Sequence, residues 1–336
     1  MMAQAVAGAP FYSAGRYFRE QFPFRIFKLA VDAGFSCPNR DGTVGHGGCT
    51  FCSNASFSHN SRSARLPIGQ QIAEGMQFYR ERLQAEKFIV YFQAFTNTHG
   101  PVECLRRLYD EVLELPDIVG LSIGTRPDCV PDAVLKLLSD YAGRTHLWLE
   151  MGLQSSHDQT LRRLNRRHTY AQFVDAVQRA KKQDLRVCAH VILGLPGETR
   201  EMMLQTAERL ARLGVEGVKL HHLYVARGTP LEREYRRSLL QMLTLRDYVN
   251  LACDFLERMP AHVVVQRVTG EVAEPHILAP HWGVTKLQVF HQICKEFQRR
   301  GTRQGVRVST INTQPSASPS PVPSPSKGRG EGGGDR

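Results

Sequence analysis

Apolar positions along this chain fall into two alternating rhythms. Short apolar or alternating runs occur at 26–31, 88–92, 119–123, 146–151 and 186–193, and again within 215–223. They are rich in Val, Ile, Leu and aromatics and predict strands. Between them the period changes to that of a helix. Ile68, Ile72, Met76, Tyr79 and Leu83 share one face, as do Leu105, Leu108, Val112 and Leu115. Further helices are predicted over 131–142, 157–164, 170–183 and 201–213. Strands alternating with helices in this way argue for an α/β fold of parallel βαβ units with right-handed crossovers. Six units fall short of the eight that close a full barrel. The expectation is therefore a partial (β/α)6 TIM-like barrel of parallel strands over 26–230.

The flanks read differently. Residues 1–25 are a mixed lead-in. Residues 231–302 predict a small C-terminal α+β extension: helices with a basic face (Arg233, Arg236, Arg237), a strand near 263–268 at an edge, and a last amphipathic helix over 283–300. From 303 to 336 the composition shifts. No aromatic follows Phe297, and five prolines lie between Pro315 and Pro325 among serines. Such a segment cannot bury a core and is expected to be a disordered tail.

The unusual polar residues cluster just beyond the predicted strands, at 37–52, 93–99, 125–128, 154–156, 190–198 and 224–228. Barrels of this kind carry their chemistry at those strand ends. The first cluster holds Cys37, Cys49 and Cys52, with eleven residues between the first two and two between the last two. Gly42, Gly45, Gly47 and Gly48 lie among them and let the backbone fold back. A C-x-x-C pair with a third thiol suits an iron–sulfur cluster or a thiolate-rich zinc site. For zinc, His46 or His59 is the candidate fourth ligand; for a fully ligated electron-transfer cluster, it is Cys129. The other five cysteines (Cys104, Cys129, Cys188, Cys253, Cys294) read as reduced core residues, because eight in 336 residues make no disulfide scaffold. His221 and His222 adjoin on the sixth strand and so point to opposite faces, which argues against a shared metal.

Charge adds a partner class. Lys and Arg number 43 against 32 Asp and Glu, a formal net charge of +11, which suits a polyanion, RNA first. There is no apolar core of a signal peptide near the N-terminus and no run approaching the ~20 residues of a membrane helix. The chain is expected to be cytoplasmic, with no membrane partner.

Several strings, in order and each at a strand end, resemble the radical S-adenosylmethionine (radical SAM) superfamily. The branch is that of the Elongator catalytic subunit and the coproporphyrinogen dehydrogenase-like proteins. The strings are 32–42 with Gly48-Cys49-Thr50-Phe51-Cys52, then Thr125-Arg126-Pro127-Asp128, 150–155, 165–169, 189–198 and Arg227-Gly228-Thr229. The chain is most similar to a group of shorter bacterial members linked to tRNA wobble-uridine side chains. The resemblance implies that Cys37, Cys49 and Cys52 hold a [4Fe-4S] cluster with one iron open to S-adenosyl-L-methionine (SAM). Reductive cleavage of SAM would then give a 5′-deoxyadenosyl radical. It also implies cofactor contacts: Phe51 near the adenine, Gln93, Thr96 and Asn97 in the segment that meets the amino group, Gln154 at the ribose and Arg166 at the carboxylate. His190 and Gly194 complete the set. A bidentate guanidinium suits a carboxylate in any case. Plain readings stand beside these: a solvated basic helix for Arg166, a hydrogen-bonded core histidine for His190, a strand-to-helix turn for Gly194. Gly124 replaces a glutamate of the Elongator-like members. Their acetyltransferase-like domain has no counterpart in the tail, so the resemblance does not carry over the use of acetyl-CoA. The implied partners are tRNA and an electron donor such as flavodoxin or ferredoxin. The alternatives are a radical SAM enzyme acting on a small or porphyrin-like metabolite, and a non-catalytic iron–sulfur or zinc protein.

Overall fold

The computed structural model describes residues 8–58, 60, 66–270 and 275–308. His59 and residues 309–336 of the expected tail lie outside them, whereas 303–308 pack on the fold, with Gln304 accepting from the Tyr12 N–H and Arg307 paired with Glu257. Seven parallel strands follow one another in chain order in one sheet: β1 Ile26–Val31, β2 Lys87–Phe92, β3 Ile118–Thr125, β4 His146–Gln154, β5 Val187–Leu193, β6 Gly217–His222 and β7 Val264–Arg267. Sheet and helices make a partial TIM-like barrel. The strand expected at an edge is the seventh, paired with β6.

Besides a single helical turn at Asn54–Phe57, the helices are α1 Ala14–Gln21, α2 Ile68–Leu83, α3 Val102–Leu113, α4 Asp132–Ala142, α5 Asp158–Arg163, α6 Tyr170–Lys181, α7 Arg200–Leu213, α8 Pro230–Arg236, α9 Leu245–Glu257 and α10 Lys286–Arg300. Their apolar faces pack on the outside of the sheet. Leu105, Tyr109, Leu138, Phe173, Leu210 and Phe255 are all buried there. Caps fix the starts. Thr169 and Thr285 close capping boxes with Gln172 and Gln288. No helix among the described residues is long and apolar enough to cross a membrane.

Three differences from the sequence reading have physical causes. Residues 14–21 of the lead-in are a helix, capped by the Ser13 side chain. It closes the bottom of the barrel, with Tyr17 edge-on to Trp148 at 5.6 Å. β3 and β4 run through Gly124 and Gln154, because pairing across the sheet outweighs the helix- and turn-favouring character of single residues. Cys104 is exposed on α3 beside Arg107 and is no core residue. Cys129, Cys188 and Cys253 are buried as expected, and Cys294 is half-buried.

Candidate functional site

The loop after β1 is folded by its own backbone. Arg40 and Asp41 N–H groups donate to the Cys37 carbonyl, Val44 and Gly45 to Pro38, and Gly48 to Asn39. Gly42, Gly47 and Gly48 have φ of +95°, +79° and +76°, where a side chain would be strained. The Cys52 N–H donates to the Cys49 carbonyl at 3.1 Å, a tight turn that brings those two thiols together. The turn after α5 locks the loop. Asn39 Nδ2 donates to the Asn165 carbonyl at 2.6 Å, Asn165 Nδ2 to Gly48 at 2.8 Å, and the Thr50 N–H to Leu164 at 3.0 Å.

Cys37, Cys49 and Cys52 line one cavity of ≈ 490 Å³ at the C-terminal end of the barrel. All three are free thiols. Burial, then the neighbouring Cys49, pushes the Cys52 thiol up to about 11; Arg40 opposes both and Cys37 adds to the rise. Three crowded thiols resist ionising together unless a cation joins them. Ligands of one zinc would lie within about 4 Å of each other. No three His, Cys, Asp or Glu groups among the described residues are gathered so as to hold a metal ion as the side chains stand. Three thiols on one cavity wall are a donor set that an iron–sulfur cluster takes. Cys129 lines a separate outer groove with Pro38, and His46 is exposed.

Two arginines back this wall. Arg166 is buried and donates to the Gly152 carbonyl at 2.6 Å, to the His168 ring at 3.0 Å and to Cys49 Sγ at 3.5 Å. Gly152 makes this possible, since a Cβ there would meet Arg166 Nη2 at 2.5 Å. Arg126 pairs with Asp128 through two bonds of 2.9 and 2.7 Å, and its buried Nη1 has no partner.

Of the other expected contacts, Phe51, Gln93, Thr96, Gln154, Arg166 and His190 line the cavity. Thr96 Oγ1 is buried without a partner. Gln154 adopts φ +73° at a bulge between β4 and β5. Asn97 and Gly194 are not among the lining residues. Asn97 Nδ2 braces the ends of β2 and β3 by donating to Phe92 and Gly124 carbonyls. Gly194 (φ +86°) sits under Leu243, 2.9 Å from where its Cβ would be. Gly124 is on the wall, and a Cβ there would meet the Phe92 carbonyl at 2.8 Å, so no larger residue fits that backbone.

Deeper in the barrel lies a polar layer that spacing alone did not single out. Glu150 is fully buried. It accepts from Lys28 Nζ at 2.8 Å, Lys219 Nζ at 2.6 Å and Ser122 Oγ, and pairs with His190 Nε2 at 2.7 Å. Burial alone would raise its pKa, but Lys219, Lys28 and His190 outweigh that and hold the carboxyl well below its usual range. Burial lowers His190 to about 4 and Lys219 to about 8, in each case against the pull of Glu150. Lys28 also donates to Gln266 at 2.6 Å, tying the first strand to the last across the open barrel. The signal was available: Lys28, Glu150 and Lys219 are lone charges in the middle of otherwise apolar strands.

Comparison with known proteins agrees with this architecture. The family model described as the Radical SAM superfamily matches residues 39–210, and that of the Radical_SAM C-terminal domain matches 215–299. Protein YtqA of Bacillus subtilis (strain 168) is 44% identical over 295 residues, 88% of this chain and 92% of that protein. Protein YhcC of Escherichia coli (strain K12) is 42% identical over 259 residues, 77% of this chain and 82% of that one. A tRNA uridine(34) acetyltransferase of Dehalococcoides mccartyi is 27% identical over 164 residues, 48% of this chain and 35% of its own length. Among solved structures, the archaeal Methanocaldococcus infernus Elp3 superposes with a TM-score of 0.63 at 17% identity, covering 83% of this chain and 64% of that one, a likeness of fold.

Proposed function

The chain belongs to the radical SAM superfamily, and from that premise we propose that it acts on tRNA, at the side chain of the wobble uridine. It is a radical SAM enzyme, and the family uses a [4Fe-4S] cluster and SAM. When bound, these supply one electron to the sulfonium and a 5′-deoxyadenosyl radical for hydrogen abstraction.

The chain's own residues divide the remaining work. Cys37, Cys49 and Cys52 hold three irons as thiolates. Arg166, already fixed by Gly152 and His168, offers its guanidinium to the SAM carboxylate. Thr96, with its unpartnered hydroxyl, and Gln93 meet the amino group, Gln154 the ribose and Phe51 the adenine. Asn97 and Gly194 act one step back, by shaping the strand ends that carry these contacts. His190 is held neutral against Glu150 and bounds the substrate side of the cavity. The apolar group of Leu164, Ile192, Leu195 and Leu223 beside Phe51 keeps water from the reacting atoms.

The observation that carries the tRNA reading is the match, over 164 residues, to a relative whose name states a uridine-34 reaction on tRNA. The net charge of +11 supports it. An electron donor of the flavodoxin or ferredoxin kind and a cytoplasmic setting follow from the same reading. Mass spectrometry of tRNA nucleosides from a strain lacking the gene tests the substrate; the expected result is loss or change of a wobble-uridine side chain. An unchanged profile would discard tRNA as the substrate. The chemistry is tested separately. The reduced, anaerobically reconstituted protein should release 5′-deoxyadenosine from SAM, and Cys37→Ala, Cys49→Ala and Cys52→Ala should each abolish it.

A further inference from the structure

The cavity holds more positive charge than its described neighbours neutralise. Glu150 is the one carboxylate among the lining residues, and it is bonded to both Lys28 and Lys219. Arg126 has Asp128, Arg166 faces Cys49, and Arg40 donates to the Cys52 carbonyl. Arg267 is left. It ends β7, in register with Lys219 of β6, where a bulge turns it toward the barrel interior next to Gln266. Its Nη2 donates to the ring of His221, and its Nε has no partner. No carboxylate among the described residues bonds to it.

Its surroundings give that charge no relief. Burial, more than the facing Arg267, holds His221 well below its ordinary range, so this ring is neutral. Tyr91, Tyr224 and Tyr248 face the guanidinium as neutral phenols, and Glu150 acts on it only from a distance. Burial in turn lowers the pKa of Arg267 itself. A guanidinium kept in such a place with no counter-charge among the described residues is costly, unless a ligand provides one.

We propose that Arg267, with His221 and Tyr224 beside it, forms a subsite for the carboxylate of a small organic second substrate, separate from the SAM carboxylate subsite at Arg166. This deepens the reading above by adding a co-substrate to the tRNA, and rests on that reading for the identity of the cavity. Three features select a carboxylate. One positive charge that no described carboxylate meets matches one negative charge, whereas a phosphate dianion would leave an excess. A guanidinium fork is complementary to two coplanar oxygens. The ligand is small because the ≈ 490 Å³ cavity must also take SAM. Arg267 lines the same cavity as the cysteines and its Nε is buried, which favours a free small molecule over an RNA backbone phosphate as the source.

The test uses the full chain, anaerobically reconstituted, with SAM present and no RNA. Carbon-13-labelled acetate is the probe, followed by saturation-transfer NMR at constant ionic strength set with chloride, with inorganic phosphate as competitor. The expected result is saturable acetate binding that weakens at least tenfold in Arg267→Met and several-fold in Arg267→Lys, which keeps the charge but loses the fork. SAM affinity, read by equilibrium dialysis, should be unchanged in both variants. Should Arg267→Met fail to fold, Arg267→Lys and the competition on the unaltered protein decide the matter. Acetate that does not bind, binds equally to the variants, yields to phosphate at equal concentration, or is mutually exclusive with SAM overturns the proposal. An unchanged tRNA profile in the deletion strain would remove the RNA and leave this subsite standing; loss of the acetate site would leave the tRNA reading standing.

Discussion

His146 sits at the foot of β4 with the rings of Tyr17, Phe18 and Phe22 within 5.2–5.9 Å, and neither of its nitrogens has a partner. Burial, aided by Arg186 and Lys28, lowers its pKa to about 3. The sign of the consequence is fixed. Above the unfolded value near 6.5 the ring is neutral in both states and folding is unaffected. Below it the unfolded chain gains a proton that the folded one refuses, so stability falls from pH 6.5 down toward pH 3. This one residue should remove about 2 kcal/mol between pH 7 and pH 5. His146→Phe, which keeps the ring packing, should flatten that part of the curve in urea titrations at the two pH values. An unaltered pH dependence would show that the ring is protonated inside the fold. Gly152 is the matching case at the site. Gly152→Ala puts a methyl group where Arg166 Nη2 now lies, 2.5 Å from the ideal Cβ. Displacing a charge-assisted bond of this kind costs about 1.5 kcal/mol or more, so SAM should bind roughly tenfold more weakly by equilibrium dialysis. Equal binding would mean that Arg166 does not meet the cofactor.

At the scale of elements, the alternation of apolar runs was enough to read the barrel, because parallel strands buried on both faces leave a strong signal. That Cys37, Cys49 and Cys52 meet at one cavity was legible for a different reason: spacing and glycines of that kind fold a loop back on itself. What escaped was whatever depends on two distant strands meeting. Nothing local tells that Lys28 of β1 reaches both Glu150 of β4 and Gln266 of β7. Likewise, the role of Asn97 as a brace follows from where the Gly124 carbonyl falls, which its own neighbours in sequence do not determine. The α1 helix was missed because eight residues with few apolar positions give little periodicity; tertiary packing makes the helix. That packing gives a prediction. Tyr17 is buried against Trp148, Cys188 and Val264, so Tyr17→Ala should cost about 3 kcal/mol, in the range of large aromatic truncations. Because α1 closes the end of the barrel opposite the cysteines, SAM affinity of the folded variant should not change. Chemical denaturation with SAM dialysis separates the two readouts, and a loss of SAM affinity without loss of stability would contradict a purely structural role for α1.

For the whole molecule, the question is whether the cluster organises the fold or the fold organises the cluster. In small metal-nucleated domains the free energy of metal binding is the free energy of folding, and the apo form is unfolded. Here the apolar core between sheet and helices includes none of Cys37, Cys49 and Cys52. The loop that carries them is fastened by protein alone, through Asn39, Asn165, Thr50 and the Leu231 N–H, which donates to the Thr50 carbonyl at 3.1 Å. A 336-residue chain of this composition buries ample apolar surface without a metal. The fold should therefore precede the cluster. Removing iron by chelation under oxidising conditions should leave the far-ultraviolet circular dichroism unchanged and a single cooperative thermal transition. Its midpoint should fall by about 2–4 °C for each kcal/mol that the cluster contributes. Cys49→Ala should likewise fold, lose the cluster's visible absorption and melt with the apo protein. Loss of the cooperative transition on iron removal, with the helical signal going at the same time, would mean that the cluster nucleates the barrel.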